Sequence, residues 1–161
     1  DNYYEVDHAE SIHKETIENV FGGDPYAYAE NYFETVGNMT GDIIGHFDLV
    51  TKFNEGNRFF DPMDKRYRHA ALEAMDALIE TGRPFEINTG GMYRGFRTEA
   101  YPSILFLKDL KERGGSILLS SDSHDGNSIG FQFAEAAQAA KEIGFKTVKV
   151  LSLDGWSDFE L

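Results

Sequence analysis

The sequence has no cysteine. That absence excludes a disulfide framework, a thiolate metal site and a thiol nucleophile. Basic residues are also scarce: 15 Lys and Arg stand against 28 Asp and Glu, for a formal net charge of −13 and a pI near 4.7. A nucleic-acid backbone or an anionic membrane needs clustered Lys and Arg, so neither is expected as a partner. A phosphate substrate remains admissible if metal ions supply local positive charge. No apolar run approaches the ~20 residues of a membrane span and no signal peptide is visible, so the sequence reads as a soluble, cytoplasmic protein.

What is present is enough for one domain with one core, 161 residues without a repeat, linker or low-complexity tract, and a single domain 1–161 is expected. The chain opens on Asp1 rather than methionine, and residues 1–40 read as the middle of a longer protein, so a fragment is expected. The most informative stretch runs Ile117-Leu118-Leu119-Ser120-Ser121-Asp122-Ser123-His124-Asp125-Gly126. Its apolar start is a strand buried on both faces, and its polar end delivers Asp-x-His before a Gly/Asn loop. Side chains two apart on a strand share a face, which would set the Asp122 carboxylate beside the His124 imidazole.

Around that stretch the sequence alternates. A helix is expected over 9–21, stopped by Gly22-Gly23, and a second after Asp24 as cap with Pro25 in the first turn. A strand follows over 42–49, then a helix from about 62 to 81, a strand over 85–88 and a helix from Pro102 to Gly114-Gly115. The strand 116–122, a helix over 131–143 and a strand over 147–153 complete the series, leaving 154–161 as an unassigned tail with the only tryptophan. Strand and helix alternating with short links predict an α/β fold with about four parallel strands, half of an eight-stranded barrel.

Three of these strands end in polar pairs at spacing two: His46/Asp48, Glu86/Asn88 and Asp122/His124. Parallel strands place their carboxyl ends on one rim, so the six side chains are expected to converge. Histidine and carboxylate without cysteine suit Zn, Mn or Fe sites that keep positions open for water or substrate. Each pair alone also fits a plainer role: an Asx-capped turn for Asp-x-His, hydrogen bonds to rim backbone for Glu86 and Asn88. Lys52 follows the first pair, and Arg94 and Arg97 lie in the glycine-rich loop after the second; they are phosphate clamps or ordinary surface charges. His8, His13 and His69 sit in polar contexts and are expected to be solvated or supporting, with no direct role.

Several stretches together, Asp42-Ile43-Ile44-Gly45-His46-Phe47-Asp48-Leu49-Val50 with Lys52-Phe53, Glu86-Ile87-Asn88-Thr89, Tyr101-Pro102-Ser103 and Ser121-Asp122-Ser123-His124, closely resemble the later motifs of the PHP family. Within it they are most similar to the histidinol-phosphate phosphatases of histidine biosynthesis, from about Phe21 to the end. The resemblance implies the carboxyl-terminal part of a distorted (β/α)7 TIM-like barrel with a trinuclear site of divalent metal ions, Zn, Mn or Fe. It implies hydrolysis of a small-molecule phosphate ester, L-histidinol phosphate to L-histidinol, by a metal-bound hydroxide. Carried over by position, His46, Asp122 and His124 would be metal ligands, with Asp122, His124 and Asp48 catalytic and Asp48 orienting His46. Lys52, Arg94 and Asn88 would meet the substrate. The family's earlier motifs, a His-x-His pair among them, have no counterpart in this sequence, and His8 and His13 do not replace them. Two alternatives follow: a PHP phosphoesterase acting on a nucleotide or other phosphoester, or a catalytically inactive fragment with a structural role. An open sheet edge would also favour a homo-oligomer.

Overall fold

The computed structural model describes residues 4–161 as a mixed α/β structure with one parallel pair of strands. Two helices lead, α1 (Glu10–Asn19) and α2 (Pro25–Gly37). Asp24 caps α2 as its sequence position predicts: its Oδ1 accepts from the backbone N–H groups of Tyr26 at 2.9 Å and Ala27 at 3.2 Å. Helix α3 (Lys65–Glu80) starts later than expected. The pair Asp61-Pro62 resembles a cap and first turn, but Asp61 Oδ1 accepts from Met63 N in a local turn, and Asp64 is the cap, accepting from Arg66 N. Helix α3 packs on α2, and the aromatic rings of Phe33, Phe47, Tyr67 and Phe106 meet in the core, edge to face or tilted around Phe33 and Phe47 and stacked between Tyr67 and Phe106.

Strand β1 (Phe85–Asn88) pairs in parallel with β2 (Ile117–Ser120), from Phe85 opposite Ile117 to Asn88 opposite Ser120. A four-residue helix, α4 (Gly90–Tyr93), and α5 (Ile104–Glu112) make the crossover between them. On the other side of β1 the expected strand 42–49 reduces to a single bridge. Ile44 accepts from Glu86 N and donates to Pro84 O, after which His46 takes a left-handed φ of 27° and the chain turns into a 3-10 turn at Leu49–Thr51. The left-handed backbone of His46, a non-glycine residue, breaks the extended run that a longer ladder would need, and pairing stops at Ile44.

The expectation of about four parallel strands fails at the last of them. After α6 (Phe133–Ile143), strand β3 (Thr147–Ser152) pairs antiparallel with β4 (Gly155–Glu160), the stretch read as an unassigned tail. Leu153-Asp154 is the two-residue turn of this hairpin, Gly155 opens β4 at φ 99°, and Lys149 meets Asp158 across the pair at 2.9 Å. Leu151, Leu153 and Phe159 stay exposed on the hairpin. Among the described residues no helix is long and apolar enough to cross a membrane.

Candidate active site

The carboxyl ends of Ile44, β1 and β2 open on one cavity of about 390 Å³. Into it come His46 and Lys52 from the first stretch, Asn88 from the end of β1 and Arg94 beyond it, and Asp122 and His124 after β2. Of the seven residues to which the family resemblance assigns a role, six are thus brought together. The seventh, Asp48, is not. It is 1 % exposed in the core, and its Oδ2 accepts from the backbone N–H of Ser103 at 3.0 Å rather than from His46. Its Oδ1 has no hydrogen-bond partner among the described residues. Burial pushes the Asp48 carboxyl up to about 6, against the Ser103 hydrogen bond and the Arg97 charge, which pull it down.

Asp122 and His124 meet for a reason other than strand alternation. Strand β2 ends at Ser120, and Asp122 adopts φ 44°, so the pair belongs to a loop turned back on itself. The agent that joins them is Arg94. Its Nη2 donates to Asp122 Oδ2 at 2.7 Å, and its Nη1 lies 2.9 Å from the Asp122 carbonyl oxygen and 3.0 Å from His124 Nδ1. Burial raises the Asp122 carboxyl, but the Arg94 hydrogen bond and charge outweigh it and leave the group below its ordinary value.

The other cations divide sharply. Lys52 Nζ donates to the Asp7 carbonyl at 2.7 Å and sits over the Phe96 ring at 4.5 Å, at the cavity wall. Arg97, considered with it as a phosphate clamp, is only 7 % exposed: it donates to Thr51 O and to Glu99, and it lies against the Tyr101 ring. It is part of the packing under the site.

Asn88 is buried, with its side-chain amide donating to Glu86 Oε2 at 3.1 Å and its carbonyl accepting from Gly90 N at 2.9 Å. Asp7, Gly91 and Phe96 also line the cavity without a role in the sequence reading, and so do Leu49 and Tyr101, which enter that reading only as members of the quoted motifs. The Gly90-Gly91 pair carries a further signal, since adjacent glycines mark close backbone approach. His13, expected to be solvated or supporting with no direct role, is not solvated: it is fully buried, with Nδ1 3.3 Å from the Tyr28 hydroxyl. Loss of hydration lowers its basicity.

The donor set can be tested against a metal ion. Among the described residues no three His, Asp or Glu side chains are arranged to share one ion. A guanidinium already lies between Asp122 and His124. The described residues by themselves therefore do not bring together a set of three such ligands.

No family model matches the chain. It is 37% identical over 107 residues to a probable histidinol-phosphatase of Deinococcus radiodurans, a match covering 66% of this chain and 38% of that protein. Against a probable histidinol-phosphatase of Schizosaccharomyces pombe it is 25% identical over 152 residues, 91% of this chain and 49% of the relative. A histidinol-phosphatase of Bacillus subtilis is 22% identical over 139 residues, 82% of this chain and 51% of the relative. The chain spans about half the length of these curated relatives, or less. Across most of its own length it is similar to proteins named histidinol-phosphatase.

Proposed function

We propose that this chain carries the later part of a phosphomonoesterase site whose substrate is L-histidinol phosphate, hydrolysed to L-histidinol and phosphate in histidine biosynthesis, a cytoplasmic setting. The observation that carries the reading is the meeting of His46, Asn88, Arg94, Asp122 and His124 in one cavity, in a chain similar to histidinol-phosphatases. Lys52 and Arg94 supply the positive charge that a phosphate dianion requires, Arg94 with two donors in a fork. His46, Asp122 and His124 stand at the rim as imidazole and carboxylate groups able to hold or move a proton near the reacting centre. Dependence on Zn, Mn or Fe and a PHP-type barrel belong to this reading, with further ligands coming from outside the described residues. The open edge of β2 and the exposed Leu151, Leu153 and Phe159 make self-association part of it too.

The test is phosphate release by the purified chain and its His124→Ala variant, with and without added Mn²⁺, from L-histidinol phosphate beside nucleoside monophosphates. The expected result is preference for L-histidinol phosphate and a loss of roughly 100-fold or more in the variant, with an unchanged melting temperature. Hydrolysis that prefers a nucleotide would move the substrate; no hydrolysis of any ester would overturn the reading for this chain.

A further inference from the structure

Lys52 does two things at the cavity. Its ammonium has three N–H donors and uses one of them on the Asp7 carbonyl oxygen at 2.7 Å. The others remain available to an anion, and the Phe96 ring at 4.5 Å and the Phe53 ring at 5.4 Å fix where the charge sits. The same hydrogen bond brings Asp7, from far upstream in the chain, to the cavity wall.

The side chain of Asp7 is left without a counter-charge there. Arg94 is taken up by Asp122 at 2.7 Å, and Lys52 meets the Asp7 backbone, so among the described residues no cation pairs with the Asp7 carboxylate. Its charge reaches the cavity floor: burial raises the pKa of the Tyr101 hydroxyl, and Asp7 adds to that rise. A residue's carbonyl oxygen and its own side-chain carboxylate are at most about 5 Å apart, so this carboxylate stands within about 8 Å of the Lys52 ammonium. A cation and an anion so placed on one wall suit a ligand that carries a phosphate and a positive group close together.

L-Histidinol phosphate is such a molecule. Its ammonium is on the carbon next to the one bearing the phosphate ester, which sets nitrogen and phosphorus about 4 Å apart. A nucleoside monophosphate has no cation beside its phosphate, and a carboxylate at the wall only repels it.

We propose that Asp7 is a specificity residue of this site: Lys52 holds its backbone at the cavity, its carboxylate receives an ammonium on the carbon beside the ester carbon, and the site selects phosphate monoesters of amino alcohols. The inference rests on the phosphatase reading and adds to it the group that is recognised besides phosphate.

The experiment compares kcat/KM for phosphate release from L-histidinol phosphate and from its desamino analogue, 3-(imidazol-4-yl)propyl phosphate, in wild type, Asp7→Asn and Asp7→Glu, with and without added Mn²⁺. Asp7→Asn should lower kcat/KM for L-histidinol phosphate roughly tenfold, mainly through KM, the scale of one hydrogen bond between charged groups. For the desamino ester the same change should leave kcat/KM level or raise it, because a repelling charge has gone. Asp7→Glu, which keeps the charge, should restore part of the preference. Equal losses on both esters, or no change on either, would show that the Asp7 carboxylate does not read the ammonium, while the phosphatase reading would stand. Hydrolysis of neither ester by wild type would overturn that reading and this inference with it.

Discussion

Glu86 Oε2 accepts the backbone N–H of His46 at 2.9 Å, joining two stretches forty residues apart. The same oxygen accepts from Asn88 Nδ2 at 3.1 Å. One carboxylate thus holds the left-handed turn at His46 and the Asn88 amide together, where the ladder between them has shrunk to a single bridge at Ile44. Glu86→Ala leaves both donors unpaired in a half-buried place, and each such loss costs about 1 kcal/mol or more. Urea unfolding should show the variant destabilised by about 2 kcal/mol. Glu86→Gln, whose amide oxygen can take the place of Oε2 and accept from both donors but without the carboxylate's charge, should fall between it and wild type. Wild-type stability in Glu86→Ala would mean that the His46 turn stands without this bond.

Stability should fall as pH rises from about 4 to about 6, and Asp48 is the cause. Its folded-state value of about 6 lies above its ordinary value of 3.8. The folded chain therefore holds this proton more tightly than the unfolded chain does, and the stability it contributes is full below pH 4 and lost as pH rises through 6. The difference corresponds to about 3 kcal/mol at 1.4 kcal/mol per tenfold. Asp24, Glu30 and Asp158 are held below their ordinary values by Arg66 and Lys149, and Asp122 is also lowered once Arg94 overcomes its burial. Those four act in the opposite sense and at lower pH, because their contribution disappears as pH falls through their folded values. His13, whose burial lowers its basicity, works against this fall in the same interval and is common to wild type and variant. Urea midpoints at pH 4, 5, 6 and 7 should therefore drop for wild type relative to Asp48→Asn, whose amide oxygen can still accept from Ser103 N. A difference between the two that does not fall over this interval would show Asp48 ionised in the fold.

Gly91 lets Tyr101 close the floor of the cavity. A Cβ at this position would lie 2.6 Å from Tyr101 Cε2 and 3.3 Å from its hydroxyl oxygen, and that ring is 2 % exposed with no room to retreat. Gly91→Ala should cost about 1–3 kcal/mol through overpacking and should shift the Tyr101 ring signals in a proton NMR spectrum. The double variant Gly91→Ala/Tyr101→Leu should cost less than the sum of the two changes, because the smaller residue removes the clash. Additive losses would place the strain of Gly91→Ala elsewhere.

How far the sequence carries depends on whether a feature is coded locally. The cap and first turn of α2 are written in Asp24-Pro25, and the same signal at Asp61-Pro62 misleads because Asp64 offers a competing cap three residues on. Strand 42–49 has the composition of a strand, yet His46 at φ 27° cuts it short. The β3–β4 hairpin carried its turn signal in Asp154-Gly155, but a tail with only one apolar stripe does not announce which strand it will pair with. At the site, residue types at strand ends located His46, Asn88, Asp122 and His124 because a parallel sheet aligns its carboxyl ends. Where their hydrogen bonds go was not legible. Asp48 turns inward to Ser103, and Arg94 folds over Gly90, and both outcomes depend on close packing of sequence-distant backbone.

Arg97 and Arg94 look alike in the sequence, three residues apart in one loop, and should part company on mutation. Arg94 faces the cavity, whereas Arg97 ties the Thr51 carbonyl to Glu99 beneath it and lies 5.4 Å from the Tyr101 ring centre. Its charge also draws the Asp48 carboxyl downward. Arg97→Met should therefore lower stability at pH 7 by about 2–3 kcal/mol, as expected when a buried hydrogen-bonded charge is removed and its partners are left. Without that guanidinium, Asp48 would hold its proton to still higher pH. The fall of stability with rising pH should then extend past 6, and the loss relative to wild type should be smaller at pH 5 than at pH 8. Urea unfolding of the two proteins at those two pH values reads this directly. A loss equal at both would mean that Arg97 acts through its ties to Thr51 and Glu99 alone, and that the Asp48 carboxyl does not feel its charge.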